Sequence, residues 1–308
     1  MPKYLLSIIG PTAIGKTRVS IELAKALNTE IISCDSRQFY KDMQIGTAVP
    51  TEEELAEVQH HFIQHISIFD DYSVGDYEKD ALEKIEILFK KHDIVCLTGG
   101  SGLYQNAVLK GLDDFPKVNK QIRENLNQIY KNEGLKPLQN QLKQLDPNHY
   151  KVVDLQNPHR LIRALEICIG TSKPYSSFIK PNKTDSRNFQ SIKIGLTAER
   201  EIIYKRIEKR VDQMFDAGLV EEAKKLYPYK QLNALQTVGY KELFMCFEGK
   251  TSLEDAKSEI KKNTRRYAKR QLTWYRKQDD IKWFSYDVEV DEILEYIKLQ
   301  TQNSSFKN

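Results

Sequence analysis

A chain of 308 residues with 40% hydrophobic and 29% charged side chains is ordinary for a soluble globular protein, long enough for one large domain or two smaller ones. Its 47 basic and 43 acidic residues leave a net charge of +4, which permits a polyanionic partner without demanding one. The four cysteines, Cys34, Cys96, Cys168 and Cys246, form no CxxC pair, which argues against a zinc ribbon or redox motif and for a reduced, cytoplasmic setting.

In chain order, the first apolar run is "YLLSII" at 4–9, too short for a signal peptide core or a membrane span. No other run approaches a membrane span, so a soluble intracellular protein is expected. "EIIS" at 30–33, "DIVCLT" at 93–98 and "SIKIGL" at 191–196 read as further buried strands. Segments of helical period such as "KTRVSIELAKAL" and "DYEKDALEKIEILFKK" stand between them, which predicts an α/β fold with a mainly parallel sheet. From 117 to 188 the strand pattern vanishes. "NKQIRENLNQIYKNEG" and "NPHRLIRALEICIGTS" read as helices, the second ending at Gly170 as its C-cap. The expected division is a discontinuous core, 1–116 with 189–308, and a helical insertion, 117–188. The last third reads as mostly helical apart from "KWFS", a candidate edge strand, and the tail "QTQNSSFKN" as frayed.

The first strand runs into GPTAIGKT at 10–17, with the spacing Gly-x-x-x-x-Gly-Lys-Thr and an amphipathic helix behind it. Gly10 and Gly15 permit backbone that a Cβ would forbid, the loop amides converge on an anion, Lys16 adds a charge and Thr17 offers a hydroxyl to a magnesium ion. A nucleoside triphosphate is the usual occupant of such a P-loop. A triphosphatase or kinase would also show a strand ending in an acid for the metal, whereas "DIVCLTGG" ends in Thr98 and two glycines. Asp35 follows the second strand, at the edge where open α/β sheets gather their sites. Position alone leaves it two readings, a helix cap or a catalytic group.

"GPTAIGKT", "DSRQFYKDMQIGTAVPT", "YSVGDYEKDA", "GGSGLYQNAVLKGL", "NPHRLIRALEI", "RIEKRVDQMFDAGLVEEAKKL", "VGYKEL" and "NTRRYAKRQLTWYR", in this order, closely resemble the bacterial tRNA isopentenyltransferase family, from Ile9 to about Arg276. The resemblance implies a P-loop NTPase-like core with magnesium as cofactor. It implies transfer of a dimethylallyl group from dimethylallyl pyrophosphate to the N6 amine of adenosine 37 in tRNA. Gly10, Pro11, Thr12, Ala13, Ile14, Gly15, Lys16 and Thr17 would then cradle a pyrophosphate that leaves, with Arg210 as its clamp and Asp35 as general base. For the tRNA anticodon stem-loop it points to Asp35, Ser36, Arg37, Gln38, Ser101, Arg123 and the run His159, Arg160, Leu161, Ile162, Arg163. Ile14 replaces a usual serine and Ser101 a usual threonine, which weakens any role for loop hydroxyls and leaves the backbone argument intact. A monomer is expected. The competing readings are a small-molecule or nucleotide kinase using ATP on the same cradle, and an RNA-binding regulator without catalysis.

Two further segments carry expectations. The stretch 257–277 has nine Lys or Arg against one Glu, and is expected to pack Tyr267, Trp274 and Tyr275 inward while some arginines face RNA or pyrophosphate. "HHFIQH" brings His60, His61 and His65 together without an HExxH pattern, so it is read as shaping the substrate loop rather than holding zinc.

Overall fold

The computed structural model describes residues 2–179 and 187–304. Residues 180–186 of the expected insertion and the end of the expected frayed tail, 305–308, lie outside the described residues. The chain divides into two compact units, Met1–Lys110 with Arg187–Asn308, and Gly111–Ser186. The first holds a six-stranded sheet of β1 (Tyr4–Ile9), β2 (Ile31–Ser33), β3 (His60–His61), β4 (Ile94–Thr98), β5 (Gln190–Thr197) and β6 (Ile281–Ser285). Helices α1 (Lys16–Ala26), α2 (Glu52–Glu57), α3 (Val74–Phe89) and α4 (Gly102–Lys110) belong to this unit. The second unit contains α5 (Lys120–Glu133), α6 (Leu135–Leu145), α7 (Pro147–Tyr150) and α8 (Pro158–Thr171). The first resumes with α9 (Arg200–Asp216), α10 (Leu219–Leu226), α11 (Tyr240–Phe247), α12 (Leu253–Tyr275) and α13 (Val290–Ser304).

Every strand pair is parallel and the order is β3-β2-β4-β1-β5-β6. β1 is buried along its whole length, as a strand covered on both faces must be, and this is why it reads as an unbroken apolar run. Alternate residues serve opposite faces. Leu6 and Ile8 pack with Val19, Leu23 and Ile293, while Leu5 and Leu97 pack with Tyr77, Ile85 and Val108. A third cluster joins Val211, Leu219, Tyr240, Leu243 and Ile260 to Tyr40 and Met43. β2 and β4 lie on one side of β1 and β5 on the other, so the chain reverses its direction of winding at β1, where such sheets open a crevice. No helix among the described residues is long and apolar enough to cross a membrane.

β3 is absent from the sequence reading. It is only two residues of polar sidedness, pairing His60 and His61 with Ile31 and Ile32 on an edge, too short to show a period. In the second unit Leu126, Leu138, Leu142, Leu161 and Leu165 form the core. The expected C-cap at Gly170 is corrected: α8 continues to Thr171 and its cap is Ser172, with φ 55°. Gly170 instead admits Val118, whose Cγ1 would lie 2.5 Å from a Cβ at that position.

A candidate active site at the carboxyl edge of the sheet

Three loops converge where β1, β2 and β4 end. The loop after β1 is the cradle. A Cβ on Gly10 would stand 2.7 Å from the Leu196 carbonyl oxygen, so that position requires glycine. Gly15, with φ 108°, turns the chain directly into α1, which carries no acidic residue in its first turn and so leaves its positive end for an anion. Lys16 Nζ donates to the carbonyls of Gly10 at 3.1 Å and Pro11 at 2.9 Å, arching over the loop. Burial pulls its pKa down to about 8, with Asp35 opposing the shift and Arg210 adding to it.

Arg210 reaches the cradle from α9. Burial lowers its pKa, Arg206 adds repulsion and Asp35 partly offsets both. Arg206, not singled out from sequence, stands one helical turn earlier on the same face. Its Nε donates to Ala13 O at 2.7 Å and its guanidinium lies 5.2 Å from the Tyr286 ring centroid. The signal for it was the i, i+4 spacing of the two arginines in "RIEKR".

Asp35 caps a turn and also lines both cavities described below. Oδ1 accepts from Arg37 N at 3.2 Å, a capping bond of the turn that follows β2. Oδ2 lies beside Gly100, 3.2 Å from where a Cβ would be. Ser36 and Ser101 share a hydroxyl contact of 3.0 Å, and Ser36 N donates to Ser101 Oγ at 3.2 Å, which ties the loops after β2 and β4 together. Arg37 and Gln38 brace other loops. Arg37 donates to the carbonyls of Asn233 at 3.1 Å and Ala234 at 3.0 Å, and Gln38 Nε2 to those of Thr47 at 3.3 Å and Ala48 at 2.8 Å.

Two connected cavities result. The smaller, about 60 Å³, is lined by the cradle, Asp35, Thr98, His60 and Arg210. The larger, about 700 Å³, is lined among others by Ser36, Arg37, Ser101, Tyr104, Tyr267 and Trp274. Thr12, Asp35, Thr47, Ala48, Arg210 and Gln271 line both. Another contribution that sequence reading missed is Glu222 on α10. Its carboxylate accepts from the amides of Gln44 at 3.0 Å, Ile45 at 2.8 Å and Gly46 at 2.9 Å and from Tyr240 Oη at 2.7 Å, fixing the loop that leads to Thr47 and Ala48.

The remaining candidates fall into three groups. On α12, Tyr275 is buried, but Trp274 is 41% exposed and lines the larger cavity, so its expected inward packing is corrected. Several of the basic residues there are matched by acids of α9: Arg265 to Glu208 at 2.6 Å, and Lys257 and Lys261 to Asp212 at 2.8 and 2.7 Å. Arg270 lines the larger cavity. Of the histidines, only His60 lines the cradle cavity. His61 Nε2 meets Glu30 at 2.7 Å, and His65 sits edge-on among Phe39, Phe62 and Tyr72, where burial lowers its pKa. In the second unit, Arg123 and Arg163 both reach Glu166, at 2.8 and 2.9 Å, and His159 and Arg160 are exposed. Leu161 and Ile162 are buried in that unit's core, so a direct RNA contact through their side chains is corrected: burial commits them to packing.

Fold and site together define a P-loop protein with two chambers, a cationic one of anion size opening into one large enough for an organic ligand. The family model for IPP transferase matches residues 38–278. The tRNA dimethylallyltransferase of Christiangramia forsetii is 62% identical over 298 residues, covering 97% of this chain and 98% of that one. That of Flavobacterium johnsoniae is 56% identical, covering 96% and 97%. Among solved structures, the full-length tRNA isopentenylpyrophosphate transferase of Bacillus halodurans matches with a TM-score of 0.74 at 38% identity, covering 98% of each chain. A eukaryotic dimethylallyltransferase solved acting on tRNA matches with a TM-score of 0.78 at 27% identity, covering 92% of this chain and 74% of that one. The chain belongs to the IPP transferase family.

Proposed function

We propose that this protein transfers a dimethylallyl group from dimethylallyl pyrophosphate to the N6 amine of adenosine 37 in the anticodon loop of tRNA, releasing pyrophosphate. The single observation that carries the reading is the junction of the two cavities at Asp35. A cradle with Lys16 and Arg210 suits a diphosphate, and the adjoining chamber, with Tyr104, Tyr267 and Trp274 in its wall, suits a base drawn out of its stack. Relatives named tRNA dimethylallyltransferase support the donor and acceptor classes.

The reaction breaks the bond between the allylic carbon and the diphosphate oxygen and forms a bond from that carbon to N6. Charge gathers on the departing diphosphate, where the loop amides, Lys16 and Arg210 stabilise it in a site drier than water. The amine becomes acidic as it is alkylated, and Asp35, through the oxygen on the Gly100 side, takes its proton. Magnesium fits the donor set. Among the described residues no group of three His, Cys, Asp or Glu side chains is arranged to hold a metal. The hydroxyl of Thr17 beside the cradle suits a hard ion that draws its other oxygens from diphosphate and water. When bound it would supply further neutralisation of the leaving group. The exposed His159 and Arg160, with the outward parts of Arg123 and Arg163, are proposed as contacts to the anticodon stem-loop.

Incubation with dimethylallyl pyrophosphate, magnesium and unmodified tRNA, followed by mass spectrometry of the nucleosides, tests this directly. One adenosine per substrate tRNA should gain a dimethylallyl group, and no mass gain would sink the proposal. Asp35→Asn keeps shape and loses the base, so kcat should fall by about 10²–10⁴-fold with tRNA affinity retained. Near-normal turnover in that variant would remove Asp35 from the role.

A further inference from the structure

Gln271 stands on α12 where both cavities meet, 5% exposed, with each end of its side-chain amide engaged. Oε1 accepts from Thr12 N at 2.8 Å, and Nε2 donates to Gly100 O at 2.8 Å. The two partners belong to different loops. Thr12 is part of the cradle after β1, and Gly100 precedes Ser101 in the loop after β4. The close approach depends on glycine: a Cβ on Gly100 would stand 2.5 Å from Gln271 Nε2 and 3.2 Å from Asp35 Oδ2. Amide and carboxylate therefore flank the same Cα. One turn earlier on the helix, Tyr267 Oη adds a longer contact of 3.4 Å to the same carbonyl.

In a phosphate-binding loop the backbone amides are the expected donors to the anion. The Thr12 amide is directed at Gln271 instead, so it serves placement rather than charge. We infer that Gln271 is a positioning residue for the group transfer, acting through Thr12 and Gly100 to hold the diphosphate cradle in register with Asp35 and Ser101. The inference rests on the function proposed above. Displacement at the allylic carbon requires donor and amine to be held in line, and a misplacement of about 1 Å can cost about 10²-fold in rate. Gln271 bonds to loop backbone rather than to Lys16, Arg210 or the exposed His159 and Arg160, so its loss should be felt mainly in kcat and little in either KM.

Two variants test this. Gln271→Ala removes both hydrogen bonds. Gln271→Glu keeps an acceptor for Thr12 N, but when ionised it has no donor for the Gly100 carbonyl, and it regains one on protonation. The two cavities that meet at this carboxyl are lined by Asp35 and Arg37 from the loop after β2, Lys16 from α1, His60 from β3, Tyr104 from α4, Arg210 from α9, Lys241 and Glu242 from α11, and Tyr267, Arg270 and Tyr275 on its own helix. Burial, Asp35 and Glu242 favour its neutral form and the cations its ionised form. At a pH of about 8 both variants should lose about 10–100-fold in kcat, with KM for donor and tRNA within about threefold of the parent.

As pH falls, the ratio of Gln271→Glu kcat to parent kcat should rise severalfold, the titration of Asp35 common to both proteins cancelling in the ratio. Unchanged kcat in Gln271→Ala, or a loss confined to KM, overturns the inference. Should Gln271→Ala fail to fold by circular dichroism, the isosteric Gln271→Glu decides alone, and a pH-independent ratio overturns the inference. A parent protein that yields no prenylated tRNA overturns the functional proposal and this inference together. An active parent with an unimpaired Gln271→Ala variant overturns the inference only.

Discussion

Two arginine clusters, one in each unit, show how differently the same side chain is employed. In the cradle, Lys16 and Arg206 donate to loop carbonyls while Arg210 lines the cavity, and Asp35 is the only carboxylate among the described residues lining that cavity. Burial and mutual repulsion depress Arg210, and burial depresses Lys16, so the free site holds positive charge at a cost that an arriving anion relieves. In the helical unit, Arg123 and Arg163 are already satisfied. Arg123 makes a bidentate bond to Glu166 through Nε at 3.1 Å and Nη2 at 2.8 Å, and Arg163 adds a third at 2.9 Å while its guanidinium lies over the Phe115 ring. Burial raises the Glu166 pKa, but the hydrogen bonds from both arginines outweigh it and the net shift is downward. A cluster whose cations meet carbonyls and a ring keeps its net charge for a ligand; one paired to a shared carboxylate first holds helices together and offers only its outward parts.

Arg210→Ala tests the first half of this contrast most severely. The diphosphate would leave with less of its charge matched, so kcat with saturating donor should fall by about 10²–10³-fold, and the donor should bind more weakly. Tritium-labelled donor assays would read both. If the variant altered only tRNA binding, Arg210 would belong with the RNA-facing residues and the comparison would collapse.

Glu166→Ala tests the second half. It leaves Arg123 and Arg163 without their shared anion, but their side chains are 49% and 41% exposed, so water takes up much of the loss. A destabilisation of about 1–3 kcal/mol is expected, read as lost amide-exchange protection in α5 and α8, with donor KM unchanged. A rise in donor KM comparable to that of Arg210→Ala would show that the two clusters are not distinct in kind.

Much of the contrast was open to sequence reading, and what was hidden has a common cause. Strands β1, β4 and β5 announced themselves because burial on both faces demands unbroken apolar runs. The cradle was legible because its glycines and lysine are fixed by backbone geometry within eight consecutive residues. Arg37 was legible as part of a motif but not in its use, since its partners are the carbonyls of Asn233 and Ala234, almost two hundred residues away. Glu222 and Gln271 were missed for the same reason. Each binds backbone amides or carbonyls of remote loops, and a backbone partner leaves no residue-type signature to read. Trp274 and Tyr275 are neighbours on one helix, yet one lines a cavity and the other is buried, because successive positions on a helix point about 100° apart.

The smallest expected effect is also the most direct reading of stored charge in the cradle. Lys16 titrates at about 8 in the free site, first because it is buried and then because Arg210 repels it, with Asp35 opposing. As pH rises through 8 the free protein loses this charge, whereas a bound diphosphate, already ionised in this range, holds the proton on Lys16 to higher pH. Donor binding should therefore take up a proton above pH 8, be at full strength below that pH, and weaken above it. The expected change in donor KM is at most about tenfold per pH unit, since a single proton is linked. The tRNA KM should change less over the same window, because Lys16 lines the cradle cavity and not the larger one. Lys16→Arg should flatten the donor profile even if it lowers turnover, because a guanidinium keeps its charge. Calorimetry of donor binding at pH about 9 in two buffers of different ionisation enthalpy would count the proton taken up. A donor KM that did not change between pH about 7 and about 9 would mean that Lys16 stays charged in the free cradle, and that the positive charge there is held more cheaply than its burial implies.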